Sequence, residues 1–235
     1  QLAELPSVER GRLPGIKPAR GDIILAGAVV VEAVLRATGA AGVEVTEAGL
    51  REGVFFERLL AGRDRPLFDD VRRASVLNLA AQYDPLPRHT LHVAKLALGL
   101  FDELAEAGLH DGDPLERELL WAACKLHDIG VAVDYDDHHK HSRYLILNAG
   151  LPGFTPREVA LIAQAVRYHR KGMPDLRPFS ALMGKGDAAL LDRAAVLLRL
   201  AEDLERSRDQ IVREAHARPA DGRVELELVA DGDVP

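Results

Sequence analysis

The chain has 235 residues, 47% of them hydrophobic, enough for one large domain or for one domain plus a smaller piece around a substantial core. Its net charge of −7 excludes a surface that attracts nucleic acid or an acidic membrane as a whole, so any anion site must be a local basic cluster. Cys124 is the single cysteine, which excludes an intrachain disulfide and suits a reducing, cytoplasmic setting. The longest apolar run, Ile23 to Val31, falls far short of the ~20 residues of a membrane span.

Residues 1–20, with several prolines and glycines, are expected to be mostly irregular, and no secretory leader is expected. The run 23–38 predicts a helix ended by Gly39 and Gly42, and the alternating, β-branched Val43-Glu44-Val45-Thr46 predicts a strand. Residues 50–60 predict a second helix. A lone strand needs a partner and this segment offers none, so the α-β-α unit reads as an edge of a larger sheet domain. From Pro66 onward the pattern is helical, with helices expected at about 66–82, 87–107, 114–128, 137–149, 155–170 and 187–213. They are separated by Pro85 and Pro87, Gly108 to Pro114, Pro152-Gly153, Gly172 with Pro174, and Gly184 with Gly186. Residues 224–229 alternate like one more strand without a visible partner.

The stretch that carries chemistry is Lys125-Leu126-His127-Asp128-Ile129-Gly130, at the end of an apolar helical run. An imidazole beside a carboxylate is a ligand pair for Mn, Fe, Zn, Co or Ni, and less so for Mg. The competing reading is a hydrogen-bonded core histidine next to a capping aspartate. Other histidines bear on the choice. His89 lies on the inward stripe of helix 87–107 with Val93, Leu96, Leu100 and Leu104, either as a core residue or as a ligand, and His92 sits nearer the edge. The next helix opens His138-His139-Lys140-His141-Ser142-Arg143. His141 shares a face with Leu145 and Asn148 and is the expected inward histidine, with His138 one turn earlier. Helix 155–170 begins with Thr155-Pro156-Arg157-Glu158 and ends with Arg167-Tyr168-His169-Arg170-Lys171. In the last helix, Glu202 follows Leu198 by four and leans toward the core, either into a pocket or paired with Arg199 or Arg206; Asp203 leans away.

Together these residues resemble the HD superfamily of metal-dependent phosphohydrolases: His89, then His127-Asp128, then a later acid at Glu202, all on helices. The wording around them is more specific. Leu126 to Gly130, His138 to Ile146, Asn148, Leu151-Pro152-Gly153-Phe154 and Val166 to Arg170 resemble the C-terminal region of the Ppx/GppA family of exopolyphosphatases and guanosine pentaphosphate phosphatases. Pro18 to Gly27 and Gly49 to Gly53 resemble the end of that family's second actin-like (sugar kinase/Hsp70-type) domain. The resemblance implies a mainly α chain, with residues 1–62 the incomplete end of an actin-like domain and 63–235 an HD-type helical domain. The family's phosphate loops and water-activating acid, carried upstream, are not expected in this chain. One departure stands out: the family usually has aspartate where this chain has Glu202, which reaches one methylene further.

The resemblance further implies a divalent-metal site (Mn, Fe, Zn, Co or Mg) held by His89, His127, Asp128, His141, His169 and Glu202, with His127 and Asp128 catalytic and Asp128 bridging two metals. His138, Lys140, Arg143, Arg167, Arg170 and Lys171 are the expected phosphate-binding residues. The implied substrate is polyphosphate or a phosphorylated guanosine nucleotide, in a homodimer that binds no DNA. The alternative is a non-catalytic polyphosphate-binding and dimerisation module with a vestigial metal site.

Overall fold

The structure, a computed structural model, describes residues 2–43, 45 and 49–232. It is mainly helical and divides into two compact units, residues 1–66 and 67–235.

In the first unit, a short helix α1 (Ser7–Arg10) precedes α2 (Ile24–Thr38) and α3 (Leu50–Leu59). α2 stops at Gly39, whose φ of 68° is the left-handed conformation that a glycine adopts without a Cβ clash. The side chain of Glu52 accepts the Gly49 N–H at the start of α3. The strand expected at 43–46 lies partly outside the described residues, and Val43 and Val45 themselves are in irregular backbone.

The second unit is built from α4 (Val71–Tyr83), α5 (Pro87–Glu106), α6 (Pro114–Leu126), α7 (His138–Ala149), α8 (Pro156–Arg167) and α9 (Asp187–Leu204). Asp70 caps α4, Asp113 caps α6, and Thr155 caps α8 in a reciprocal box with Glu158. Each cap satisfies N–H groups that the first turn leaves open. The core joins Val93, Leu96, Leu100 and Phe101 of α5 to Leu119, Leu120 and Cys124 of α6. Ile162 and Val166 of α8 and Leu191, Leu198 and Ala201 of α9 complete it. Charged side chains clamp the helices from outside: Arg72 reaches both Glu118 and Glu158, Arg193 pairs with Glu116, and Arg157 with Asp187.

Two expectations need correction here. α9 does not continue to residue 213 but ends at Leu204. Arg208 and Gln210 then take positive φ values of 62° and 60°, which no helix allows, and no glycine or proline announces that turn. The strand near the C-terminus does have a partner: β1 (Val212–Ala220) pairs antiparallel with β2 (Arg223–Ala230). Asp221 and Gly222 form the two-residue connection with φ values of 48° and 76°, the pair of left-handed residues that matches hairpin twist. The hairpin rests on α5: His92 Nε2 donates to the Val212 carbonyl at 2.7 Å, and Glu103 accepts from His216 Nδ1 and the Ala217 N–H, both at 2.6 Å.

Candidate metal centre

Five helix ends deliver the polar core of the second unit. α6 ends at Leu126, leaving His127 as its C-cap and Asp128 in a bridge-region conformation (φ −102°, ψ 0°) that turns the chain into the 3-10 segment Ile129–Ala132. Gly130 makes this turn possible. A Cβ there would stand 2.2 Å from the His138 carbonyl oxygen and 2.3 Å from the Ser142 nitrogen, so only glycine lets the turn press against α7. Ser142 locks the contact by donating to the His127 carbonyl at 2.7 Å and accepting the Gly130 N–H at 2.8 Å. His89 comes from the first turn of α5, behind Pro87; His138 from the first turn of α7; His169 from just beyond α8; and Glu202 from the last turn of α9.

These side chains form two buried groups with metal-ligand spacing, His89-His127-Asp128 and Asp128-His138-His169, which share Asp128. His127, His138 and His169 each aim Nδ1 at the backbone carbonyl three residues earlier: Cys124 at 2.7 Å, Tyr135 at 2.9 Å and Val166 at 2.7 Å. A carbonyl can only accept, so each Nδ1 carries a proton and each Nε2 is the pole turned toward the centre. This is the arrangement by which outer contacts orient metal-binding histidines. Those Nε2 atoms converge. His138 Nε2 lies 3.3 Å from His169 Nε2 and 3.2 Å from Asp128 Oδ1, and His127 Nε2 lies 3.8 Å from Asp128 Oδ1. His89 Nε2 is 4.0 Å from Asp128 Oδ2. Asp128 Oδ1, fully buried, has no aligned hydrogen bond. Imidazole nitrogens converging on a buried carboxylate fit a divalent cation with mixed N/O ligands.

Glu202 Oε2 sits 2.9 Å from His89 Nε2 and 3.1 Å from His127 Nε2, so it touches the two histidines of the first group. Burial acts to lower the His127 pKa, but its hydrogen bond to the Glu202 carboxylate and the charge of Asp128 outweigh it and raise the ring to about 9. The same histidines overcome the burial of Glu202 and hold its carboxyl at about 2, and Asp128 is depressed well below the carboxylate range. His169 goes the other way: burial, then the neighbouring His127 charge, pull it down to about 3. His139, buried with neither ring nitrogen hydrogen-bonded, is lowered by burial to about 4.

The other residues singled out in the sequence lie around this centre. His141 is half-buried on α7 and is in neither group of converging ligands among the described residues; His138, expected to contact phosphate, stands beside Asp128. Lys140 Nζ donates to Asp137 at 2.5 Å, and Lys171 lies 3.9 Å from the same carboxylate. Arg143 donates to Gln164 at 2.8 Å and faces the Phe179 ring, Arg167 lies against Tyr168, and Arg170 lies near Tyr135.

Two residues were missed. Arg208 places Nη2 3.3 Å from Asp128 Oδ2. Glu205, fully buried, lies 3.9 Å from His89 Nδ1, and among the described residues neither of those facing atoms has a hydrogen-bond partner. Glu202, Glu205 and Arg208 recur at intervals of three, a spacing visible in the sequence. The left-handed turn that carries Arg208 back to Asp128 was not visible.

The description "Ppx/GppA phosphatase, domain III" matches residues 71–234, and "Ppx/GppA phosphatase family" matches residues 1–61. A guanosine-5'-triphosphate,3'-diphosphate pyrophosphatase of Vibrio vulnificus (strain YJ016) is 27% identical over 226 residues, which is 96% of this chain and 42% of that protein. The chain thus spans less than half the length of this curated relative.

Proposed function

The chain belongs to the Ppx/GppA phosphatase family, and from that premise we propose that its second unit is an HD-type, metal-dependent phosphohydrolase module acting on phosphoanhydride or phosphoester bonds. The substrate class is polyphosphate or a phosphorylated guanosine nucleotide, the latter by analogy with the Vibrio relative. The observation that carries the reading is the pair of ligand groups joined through Asp128.

His89, His127 and Asp128 would hold one cation, and Asp128, His138 and His169 a second. A divalent cation bound there supplies Lewis-acid polarisation of a phosphoryl oxygen and activation of water near neutral pH. The chain's own residues do the rest. The Nδ1 contacts of His127, His138 and His169 fix the tautomer and aim of each ring, and burial keeps competing solvent away. Arg208 brings a guanidinium to the edge of Asp128, where a phosphate oxygen would accept from it in a forked geometry. Lys140, Arg143, Arg167, Arg170 and Lys171 would supply an outer basic group for the remaining phosphates.

A second reading is supported by Glu202. Its Oε2 already occupies the space beside His89 and His127 Nε2, where the family usually has the shorter aspartate. On that reading the module binds polyphosphate and supports dimerisation without turnover. Elemental analysis of protein purified without chelator, paired with phosphate release from pyrophosphate and polyphosphate, separates the two. Bound metal with activity lost in Asp128→Ala supports the hydrolase; metal near zero with retained polyphosphate binding supports the binding module.

A further inference from the structure

A cleft of about 890 Å³ opens between α4, α5 and α6 and shares no residue with the histidine cluster. Its wall is apolar and aromatic: Trp121, the only tryptophan in the chain, is half-buried there beside Leu98, and Leu91 of α5 leaves 63% of its surface in solvent. The guanidinium of Arg73 lies 4.6 Å over the Trp121 ring. Arg88, Leu91, His92 and Lys95 recur at three- and four-residue spacing, so one face of α5 lines the cleft with alternating cation and apolar surface.

The acids of the cleft are already engaged. Glu118 is held by Arg72 at 2.7 Å, and Asp70 accepts the Arg73 N–H as the cap of α4. Arg117 is paired with Asp102 at 2.7 Å, and Lys95 is anchored on the Arg213 carbonyl at 2.9 Å with Glu214 3.8 Å away. Among the described residues, Arg73 on its indole and Arg88 are the guanidinium groups of the lining that stand outside these pairings. On a chain of net charge −7, this is a local positive site with an aromatic platform.

We propose that this cleft is a second ligand site that binds a nucleoside phosphate. The base stacks on the Arg73–Trp121 pair, since every base offers a π-face to an aromatic ring and a planar cation. The phosphates meet Arg88, whose fork suits phosphate oxygens. A bare phosphate chain would leave the Trp121 and Leu91 surface uncovered, and an uncharged nucleoside would leave Arg88 without a counter-charge. The ligand therefore carries both parts.

Trp121 is its own reporter. Titration of the full chain with ADP, followed by tryptophan emission, should give a saturable change that neither adenosine nor pyrophosphate alone produces at equal concentration. Arg73→Ala and Arg88→Ala, both at exposed positions, should each weaken ADP at least tenfold while the far-ultraviolet circular dichroism stays that of the parent. Asp128→Asn should leave the titration unchanged, which separates this site from the proposed hydrolase centre. No saturable change with ADP, equal responses to ADP and adenosine, or unaltered affinity in the Arg73→Ala, Arg88→Ala double variant would each overturn the proposal. Equal loss of ADP binding in Asp128→Asn would also overturn it, by moving the nucleotide to the histidine cluster.

Discussion

His138 and His169 face each other through their Nε2 atoms at 3.3 Å, although each ring has already committed its Nδ1 proton to a carbonyl of its own chain segment. Two lone pairs at that distance repel unless a proton or a cation stands between them. Burial removes the water that could otherwise separate them, since His138 and His169 are both buried. The pair therefore needs a shared proton or a cation between its two Nε2 atoms. Replacing His138 or His169 by alanine should remove one equivalent of bound divalent metal, measured by elemental analysis, while His141→Ala should leave the metal content unchanged.

Metal uptake should release a proton. In the metal-free centre, Glu202 and Asp128 keep His127 protonated up to about pH 9, and a cation taking its Nε2 must displace that proton. Apparent affinity should therefore rise with pH by up to tenfold per unit between about pH 7 and 9, then level off. Calorimetric titrations in buffers of different ionisation enthalpy should report about one proton released per metal at His127. Binding independent of pH across this window would mean that His127 is not a ligand.

Acid should weaken the fold through two neutral histidines. The folded-state values of His139, about 4, and His169, about 3, lie below the ordinary histidine value. The unfolded chain thus binds protons first, and stability present above about pH 6.5 is lost progressively as pH falls toward those folded values. His127 acts oppositely: its contribution is whole below about pH 6.5 and fades as pH rises through about 9. Denaturant midpoints measured from pH 4 to 7 should rise with pH, and His139→Leu, which replaces a buried ring without hydrogen bonds, should flatten that limb. An unchanged slope in this variant would remove His139 from the account.

The turn after Asp128 should tolerate no side chain at residue 130. Gly130→Ala places a methyl against the His138 carbonyl oxygen and the Ser142 nitrogen, backbone atoms that cannot rotate away. Loss of about 3 kcal/mol or more is expected, together with loss of metal binding. Ser142→Ala removes two buried hydrogen bonds and strands the Gly130 N–H, for a cost of about 1–3 kcal/mol. Chemical denaturation and metal content of both variants test this, and a Gly130→Ala protein of parental stability would contradict the close approach.

Arg208 should matter to anion affinity more than to stability. Its side chain is about one-third exposed, so its contact with Asp128 adds little to folding, about 1 kcal/mol or less. Arg208→Ala should weaken phosphate or sulfate binding at the centre about tenfold or more, with Arg208→Lys recovering only part because it lacks the forked donor pair. Equal anion affinity in the parent and Arg208→Ala would leave the contact as a solvated ion pair.

The sequence by itself determined the helical character of the second unit, its cap at Thr155, and the buried stripes of α5, α6 and α9. These follow from spacing of three and four and from local capping chemistry, which neighbouring residues decide among themselves. It also placed His127 and Asp128 at the end of α6 and leaned Glu202 inward. The hairpin was only half legible: residues 224–229 read as a strand without a visible partner, and the run from Glu205 to Gln210 reads as helix because its two left-handed residues are an arginine and a glutamine. Tertiary structure alone decided which histidine of α7 stands at the centre. The period of that helix allows either His138 or His141 to face inward; the close approach of Gly130 to Ser142 selects the face of His138, Ser142 and Ile146 and leaves His141 at its edge. Arg208 reaches Asp128 for the same kind of reason. A contact between residues 80 positions apart is set by how packed helix ends and the turn after α9 come together, and no local pattern encodes it.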